Sequence, residues 1–184
     1  MATKHRSEPA GRRGQRGFSL LEAAVVVTIV AIVAATALPS FSALVDARRL
    51  DGAATRLAAD VQFARSEAIA RNQSLRLSIA AGGGATCWIV HTGVAADCTC
   101  SASGVACTNG ALAIHGFVLP AAERVAVAGN VVSIVFDPLH GTSTPTGTLS
   151  LGDVRGRSVR HVVNVLGRVR SCSPGGAIAG YPAC

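Results

Sequence analysis

Lysine is almost missing from this sequence of 184 residues, in which Lys4 is the only one. Beyond residue 17 the positive charge comes from arginine alone, with twelve arginines against nine acidic residues, a net charge of +3. The value of +7 for the whole chain therefore reflects a basic N-terminal segment, residues 1–17. Aromatic residues are also scarce, at 4% of the chain, so binding of nucleic acids by base stacking is not expected.

Motifs for catalysis and for phosphate binding are lacking as well. The glycine run Gly82–Gly84 has neither the lysine nor the following helix of a phosphate-binding loop. No serine or cysteine has the flanking residues of a catalytic nucleophile, and the histidines are scattered among small residues: His91, His115, His140 and His161. We therefore expect a protein that is not an enzyme and needs no cofactor.

The most distinctive segment that is present is the apolar run from Phe18 to Leu38, which contains 21 residues and a single charge, Glu22. This run is long enough to span a bilayer as a helix. A charge inside a membrane helix costs about 2.5–3.5 kcal/mol on insertion scales, so we expect Glu22 to have a specific partner. The basic segment before the run predicts that residues 1–17 stay in the cytoplasm.

The motif Gly17-Phe18-Ser19-Leu20-Leu21-Glu22, followed by apolar residues and Leu38-Pro39, resembles the class III signal of type IV pilins and pseudopilins. The resemblance implies that a prepilin peptidase cleaves between Gly17 and Phe18 and that Phe18 is N-methylated. It also implies that Glu22 pairs with the N-terminus of a neighbouring subunit in a filament. The alternative for Glu22 is a snorkelling or protonated carboxyl near the membrane surface.

Two other interpretations of this segment are an uncleaved signal anchor and a secretory signal cut after Ala35-Thr36-Ala37, which fits the small-x-small rule. Both leave Gly17 and Glu22 unexplained.

A second helical pattern follows Pro39, which itself predicts a kink or local melting. Apolar residues recur at intervals of four and three, which predicts an amphipathic helix ending near Asn72: Leu50, Ala54, Leu57, Val61, Ala64 and Ala68. The alanine-rich stripe predicts close packing against a β-sheet. The pairs Asp46/Arg49 and Arg56/Asp60 are expected on the solvent side.

From residue 74 the pattern has a period of two, which predicts β-strands. We predict strands over 74–79, 86–91, 112–119, 124–128, 131–136, 148–151 and 158–170, with irregular loops over 92–111 and 137–147. The predicted fold class is α+β, with a long N-terminal helix packed against antiparallel β-sheets. The predicted segments are a leader (1–17), a membrane helix (18–38), its amphipathic continuation (39–72) and a β-rich globular domain (73–184).

The second half of the chain also resembles a known family, the GspH/FimT branch of minor pilins and pseudopilins. The resemblance rests on Val135-Phe136-Asp137-Pro138, Gly141, Gly147-Thr148-Leu149-Ser150-Leu151 and Gly167-Arg168-Val169-Arg170. It implies a type IV pilin-like fold and assembly with other pilins. It also implies a single-pass inner-membrane protein with a periplasmic C-terminal domain, which later reaches the pilus at the cell surface.

The last of these motifs suggests a partner. In FimT-type pilins of competent bacteria, the matching Gly-Arg-x-Arg binds DNA during natural transformation, so Arg168 and Arg170 are candidate contacts to double-stranded DNA, with Gly167 allowing close approach. If residues 158–170 form one strand, Arg160 and Asn164 share their face. Guanidinium groups bind phosphate oxygens without reading the base sequence. Alternatively, these arginines are simply solvated or paired. The protein is then a purely structural pilin of the FimU type, or a type II secretion pseudopilin of the GspH type.

Six cysteines lie beyond the apolar run, where an oxidising compartment favours disulfides: Cys87, Cys98, Cys100, Cys107, Cys172 and Cys184. Cys172 and Cys184 bracket a glycine- and proline-rich segment that a bridge would hold in place. The sequence does not choose the pairing of the other four, because six cysteines allow 15 pairings. A zinc site formed by these four with His91 is a weaker alternative, since their spacing is not that of CxxC pairs, and we expect no metal.

Overall fold

The structure, a computed structural model, describes residues 17–184, apart from the side chains of residues 36–39. The predicted leader, residues 1–16, lies outside the described residues. Helix α1 spans Leu20–Arg71. The chain forms two compact units, the first ending at Phe41 and the second comprising Ser42–Cys184.

The first unit contains the apolar half of α1. Ser19 begins this helix, because its hydroxyl accepts a hydrogen bond from the Leu21 N–H (3.3 Å) and its carbonyl accepts one from the Ala23 N–H (3.1 Å). Every side chain described between Phe18 and Ala35 is exposed, and the helix is long and apolar enough to cross a membrane. The predicted local melting at Pro39 is not found, because the helical assignment continues through residues 36–39.

The second unit is built around the amphipathic half of α1. The predicted stripe is confirmed, since all six of its apolar residues are fully buried: Leu50, Ala54, Leu57, Val61, Ala64 and Ala68. The helix ends where Asn72 adopts a left-handed conformation, with φ of 49°. The helical period therefore predicted the buried face, and Asn72 predicted the end of the helix.

The strands of the second unit form three antiparallel sheets. The bounds are β1 Leu75–Gly82, β2 Ala85–His91, β3 Cys98–Ser101, β4 Gly104–Cys107, β5 Ala113–Pro120, β6 Val125–Gly129, β7 Ser133–Phe136, β8 Ser143–Thr144, β9 Gly147–Asp153, β10 Ser158–Val163 and β11 Val169–Cys172. The first sheet has the order β5-β2-β1-β7-β8, the second β11-β10-β9-β6, and the third pairs β3 with β4. Strand β8 lies inside the predicted loop 137–147.

The two larger sheets share one hydrophobic core with α1. Trp88 on β2 is fully buried, and its Nε1 donates a hydrogen bond to Asp60 Oδ2 at 2.7 Å. Asp46 is likewise buried and pairs with Arg155 rather than with Arg49. The expectation that Asp46 and Asp60 face solvent is therefore wrong, because each carboxylate has a donor in the globular domain that compensates its burial.

The cysteine-rich segment 92–111 is not the irregular loop that its composition predicts. It contains a short 3-10 helix, Ala95–Asp97, and the β3–β4 hairpin, which covers the outer face of β2. A disulfide joins Cys98 to Cys107 across this hairpin, and a second joins Cys87 on β2 to Cys100. All four sulfur atoms are thus held in two disulfide bonds, so none of them is free to bind zinc.

Candidate nucleic-acid interface

The predicted single strand over residues 158–170 is wrong, because the chain reverses direction within it. Strands β10 and β11 form a hairpin whose turn begins at Asn164. The Asn164 side-chain oxygen accepts hydrogen bonds from the Leu166 N–H (3.1 Å) and the Arg168 N–H (2.9 Å). Gly167 completes the turn with φ of 68°. An asparagine followed by glycine three residues later is a turn signal that the strand interpretation overlooked.

Gly167 and Asn164 thus have structural roles in the turn. Gly167 is buried, and its carbonyl accepts a hydrogen bond from Gln62 Nε2 at 3.2 Å. A Cβ at this position would lie 2.8 Å from Arg65 Cδ. The close approach expected at Gly167 is therefore made by helix α1 rather than left open for a ligand, and the side-chain oxygen of Asn164 is occupied by the turn.

The hairpin still brings the three predicted arginines to one face. Arg160 lies opposite Cys172, and Val162 lies opposite Arg170, so Arg160 and Arg170 are diagonal neighbours, about 7–8 Å apart by general sheet geometry. Arg168 comes two residues before Arg170, just ahead of β11, and an extended chain places such residues about 6.5–7 Å apart. All three side chains are exposed, while Val159 and Val163 on β10 are buried in the core.

Among the described residues, these three arginines differ from their neighbours in that their side chains have no partner. Arg155 binds Asp46 (2.9 Å) and Arg157 binds Asp153 (2.6 Å). Within residues 17–184, by contrast, the side chains of Arg160, Arg168 and Arg170 make no hydrogen bond or ion pair. No acidic residue follows Asp153 in the sequence. We call these three residues the arginine face.

Hydroxyl groups on β9 lie beside the arginine face. Ser150 is directly opposite Arg160, and Thr148 is directly opposite Val162. Serine and threonine hydroxyls commonly donate to phosphate oxygens. These two residues were not among the predicted site residues, although their alternation with Leu149 and Leu151 indicates that they lie on the outer face.

The C-terminal tail does not extend the arginine face. The expected disulfide between Cys172 and Cys184 is present. The tail that it closes packs against α1, where Ile178 is buried and the Tyr181 hydroxyl donates to Asp51 Oδ1 at 3.1 Å. Burial raises the pKa of Tyr181 above its usual value. The tail contains no arginine and covers the helix instead.

The histidines are held in separate structural contacts. His91 is buried, with Nε2 at 2.8 Å from Ser78 Oγ, and burial lowers the pKa of His161 to about 4. Asp137 is held by the backbone N–H and the ring of His140, which lower the pKa of that carboxyl. In the part of the chain that the structure describes, no three potential metal ligands come together.

Glu22 lies in the first turn of α1, where the helix dipole favours a carboxylate. It is exposed, and its side chain has no hydrogen-bond partner among the described residues. A partner from another chain is therefore sterically possible at this position.

Comparison with known proteins places the chain in a family. The family model of the type II transport protein GspH matches residues 53–167, and that of the prokaryotic N-terminal methylation motif matches residues 12–38. The type II secretion system protein H of Xanthomonas campestris pv. campestris is 35% identical over 75 residues, covering 41% of this chain and 44% of that protein. The chain thus matches less than half the length of that relative.

A solved structure is similar as well. The type IV minor pilin FimU of Pseudomonas aeruginosa superposes with a TM-score of 0.48 and 21% identity, covering 69% of this chain and 93% of that one.

The GspH match spans more than half of the chain and ends at Gly167, so Arg168 and Arg170 lie just beyond it. The chain belongs to the GspH family and is a minor type IV pilin or pseudopilin with a prepilin-type methylation signal at its N-terminus.

Proposed function

We propose that this protein is a minor pilin that is stored in the inner membrane, assembled into a type IV pilus and used there to bind double-stranded DNA. The observation that carries the proposal is the arginine face: Arg160, Arg168 and Arg170 are exposed, point the same way and have no partner among the described residues. Such a cluster of guanidinium groups is suited to a polyanion.

The spacing of these groups suits a phosphate backbone. Steps of about 6.5–8 Å between neighbouring arginines allow each guanidinium to reach a different phosphate. The hydroxyl of Thr148 on the same outer face supplies an additional donor. Because aromatic residues are scarce and contacts to phosphates do not read base edges, the binding is independent of sequence.

The test is a gel-shift or anisotropy titration of the full chain in detergent with duplexes of two unrelated sequences. Wild type binds both equally, and Arg168→Gln/Arg170→Gln weakens both by at least tenfold. The matched control is Arg48→Gln/Arg49→Gln, which removes two exposed arginines from α1 and leaves binding unchanged. Equal affinity of wild type and Arg168→Gln/Arg170→Gln contradicts the proposal and leaves a purely structural subunit.

The same proposal includes processing and assembly at the N-terminus. The match to the methylation motif and the unpartnered carboxylate of Glu22 in the described chain support cleavage after Gly17 by a prepilin peptidase, methylation of Phe18 and pairing of Glu22 with a neighbouring subunit. Mass spectrometry of the N-terminus tests the first two steps. Glu22→Ala is expected to prevent incorporation into pili, and undisturbed incorporation removes this role.

A second candidate is a subunit of a type II secretion pseudopilus. The similarity to the Xanthomonas campestris secretion protein over 75 residues favours it. A deletion strain scored for twitching, DNA uptake and protein secretion separates the two. Loss of DNA uptake with normal secretion supports the pilus, whereas loss of secretion alone supports the pseudopilus.

A further inference from the structure

A second group of arginines surrounds α1 where the chain enters its globular unit, and it is separate from the arginine face. Arg155 donates from Nε to Asp46 Oδ2 and from Nη2 to Ser42 Oγ, each at 2.9 Å. Arg124 lies 3.9 Å from the same Asp46 oxygen. Arg48 and Arg49 are exposed on the helix at this level. We call Arg48, Arg49, Arg124 and Arg155 the arginine collar.

Three of the acids near the arginine collar have partners within the globular unit. Asp46 is 4% exposed and lies beneath the collar, where the hydrogen bond from Arg155 lowers the pKa of this carboxyl. Asp153 is bound to Arg157, and Asp51 accepts from the Tyr181 hydroxyl. Of the nearby acids, Glu123 is exposed. The surface that the collar presents to its surroundings is therefore mainly positive.

An apolar hollow lies next to a smaller one that Arg124 of the arginine collar helps to line. It has a volume of about 470 Å³ and is lined by small and aliphatic residues that include Ala85, Leu119, Ala121 and Val125. A neighbouring hollow of about 230 Å³ shares Ala121 and Val125, and its lining also contains Arg124. Positive groups beside an apolar recess are the pattern of surfaces that bind at the membrane–water interface.

Chain connection alone keeps the arginine collar near the membrane. Ser42 follows the end of the apolar run by four residues, and Arg49 follows it by eleven. Even a fully extended chain, at about 3.3–3.6 Å per residue, keeps Ser42 and the Arg155 side chain bound to it within roughly 15 Å of the hydrocarbon. The headgroup layer is about 5–8 Å thick on each side. Anionic phosphates are thus within reach of the collar.

We infer that the arginine collar and the adjoining hollow bind anionic phospholipid headgroups while the subunit is stored in the membrane. The inference rests on the proposed membrane location but not on DNA binding. Arginines near a surface of anionic lipids are attracted to it, and the attraction falls off within a Debye length. The contact holds the globular unit against the membrane until the subunit is extracted into a filament.

The experiment uses the full chain in nanodiscs of phosphatidylcholine, with and without phosphatidylglycerol. Hydrogen exchange is followed in peptides covering residues 119–129 and 153–157. Anionic discs are expected to slow exchange there several-fold. Arg48→Gln/Arg49→Gln/Arg124→Gln abolishes the difference between lipids, while the matched control Arg168→Gln/Arg170→Gln retains it. Exchange of the core strand β1 verifies that the variants are folded.

The outcomes separate this inference from the proposed function. Equal exchange in the two kinds of disc overturns the inference and points to a neighbouring subunit as the partner of the arginine collar. Protection that inorganic phosphate reproduces in phosphatidylcholine discs also overturns it, in favour of a free anion. A chain that does not co-elute with any disc contradicts the proposed membrane storage itself.

Discussion

His161 follows Arg160 on β10, but its ring is buried in the core, whereas Arg160 is exposed to solvent. Its Nδ1 lies 2.8 Å from Ser171 Oγ, and its Nε2 has no hydrogen-bond partner among the described residues. Burial lowers the pKa of His161 from 6.5 to about 4. The unfolded chain therefore binds this proton more tightly than the folded chain does.

The stability of the protein is predicted to fall between pH 6.5 and pH 4 for this reason. The neutral His161 ring contributes this stability fully above pH 6.5, the pKa in the unfolded chain. The contribution is lost as the pH falls through the folded pKa of about 4. Its size is about 3 kcal/mol in the free energy of unfolding. Urea titrations at pH 7, 5.5 and 4.5 measure it.

Two variants test whether His161 causes this pH dependence. His161→Gln cannot titrate and is expected to flatten the profile. His161→Asn, which also cannot titrate, is expected to do the same. A wild-type profile in His161→Gln means that another group is responsible.

At the scale of the element, the turn between β10 and β11 positions Arg168. Gly167 adopts φ of 68°, and an added Cβ would meet Arg65 Cδ at 2.8 Å. Gly167→Ala is therefore predicted to lower the free energy of unfolding by about 1–3 kcal/mol, from the left-handed conformation and the contact together.

Gly156→Ala is the matched control, because Gly156 also has positive φ (79°) but a Cβ added there would have no atom within 4 Å. Gly156→Ala therefore has the cost of the left-handed conformation but lacks a contact like the one with Arg65. Urea denaturation of both variants gives the difference. Equal losses in the two variants mean that packing against Arg65 does not constrain the turn.

The C-terminal tail is a separate element. Its disulfide closes a sequence separation of 12 residues, so Cys172→Ser/Cys184→Ser is predicted to cost about 2–3 kcal/mol of stability. DNA affinity is expected to stay within about twofold of wild type, because Arg170 is held by pairing with β10 rather than by the tail. Denaturation and DNA titration of the same sample test both. If the disulfide variant loses as much DNA affinity as Arg168→Gln/Arg170→Gln, the arginine face depends on the tail and this prediction is contradicted.

Elements with a strong period could be predicted from the sequence. The stripe from Leu50 to Ala68 and the alternation in β1 identified the helix face and the first strand, because burial imposes those periods. The β3–β4 hairpin was missed because its small residues show no period and its order depends on disulfides. The burial of Asp46 was not predicted because its partner, Arg155, is distant in the sequence.

The candidate site was predicted only in part. The alternation of Arg168 and Arg170 placed both on one face, and the sequence also proposed Arg160 for it. The assumed reason, a single strand, was wrong, since Arg160 joins them through the β10–β11 pairing. That pairing reverses at Asn164, where a side-chain hydrogen bond outweighs the strand propensity of the surrounding valines.

At the scale of the whole molecule, the arginines fall into two sets with different surroundings. The arginine collar is linked to buried Asp46 and lies where the chain enters the globular unit. The arginine face lies on the outer side of the second sheet without acidic partners in the described chain. Such a division fits a subunit that meets the membrane at one surface and a polyanion at another.

The salt dependence of DNA binding tests the central claim most directly. Three phosphate contacts predict a slope of about −2.7 for the logarithm of the binding constant against the logarithm of salt concentration, since each contact contributes about −0.9. Arg168→Gln/Arg170→Gln is expected to reduce the slope to about −0.9, and Arg48→Gln/Arg49→Gln to leave it at the wild-type value. A wild-type slope near zero, or the same slope in wild type and Arg168→Gln/Arg170→Gln, contradicts the assignment of DNA binding to the arginine face.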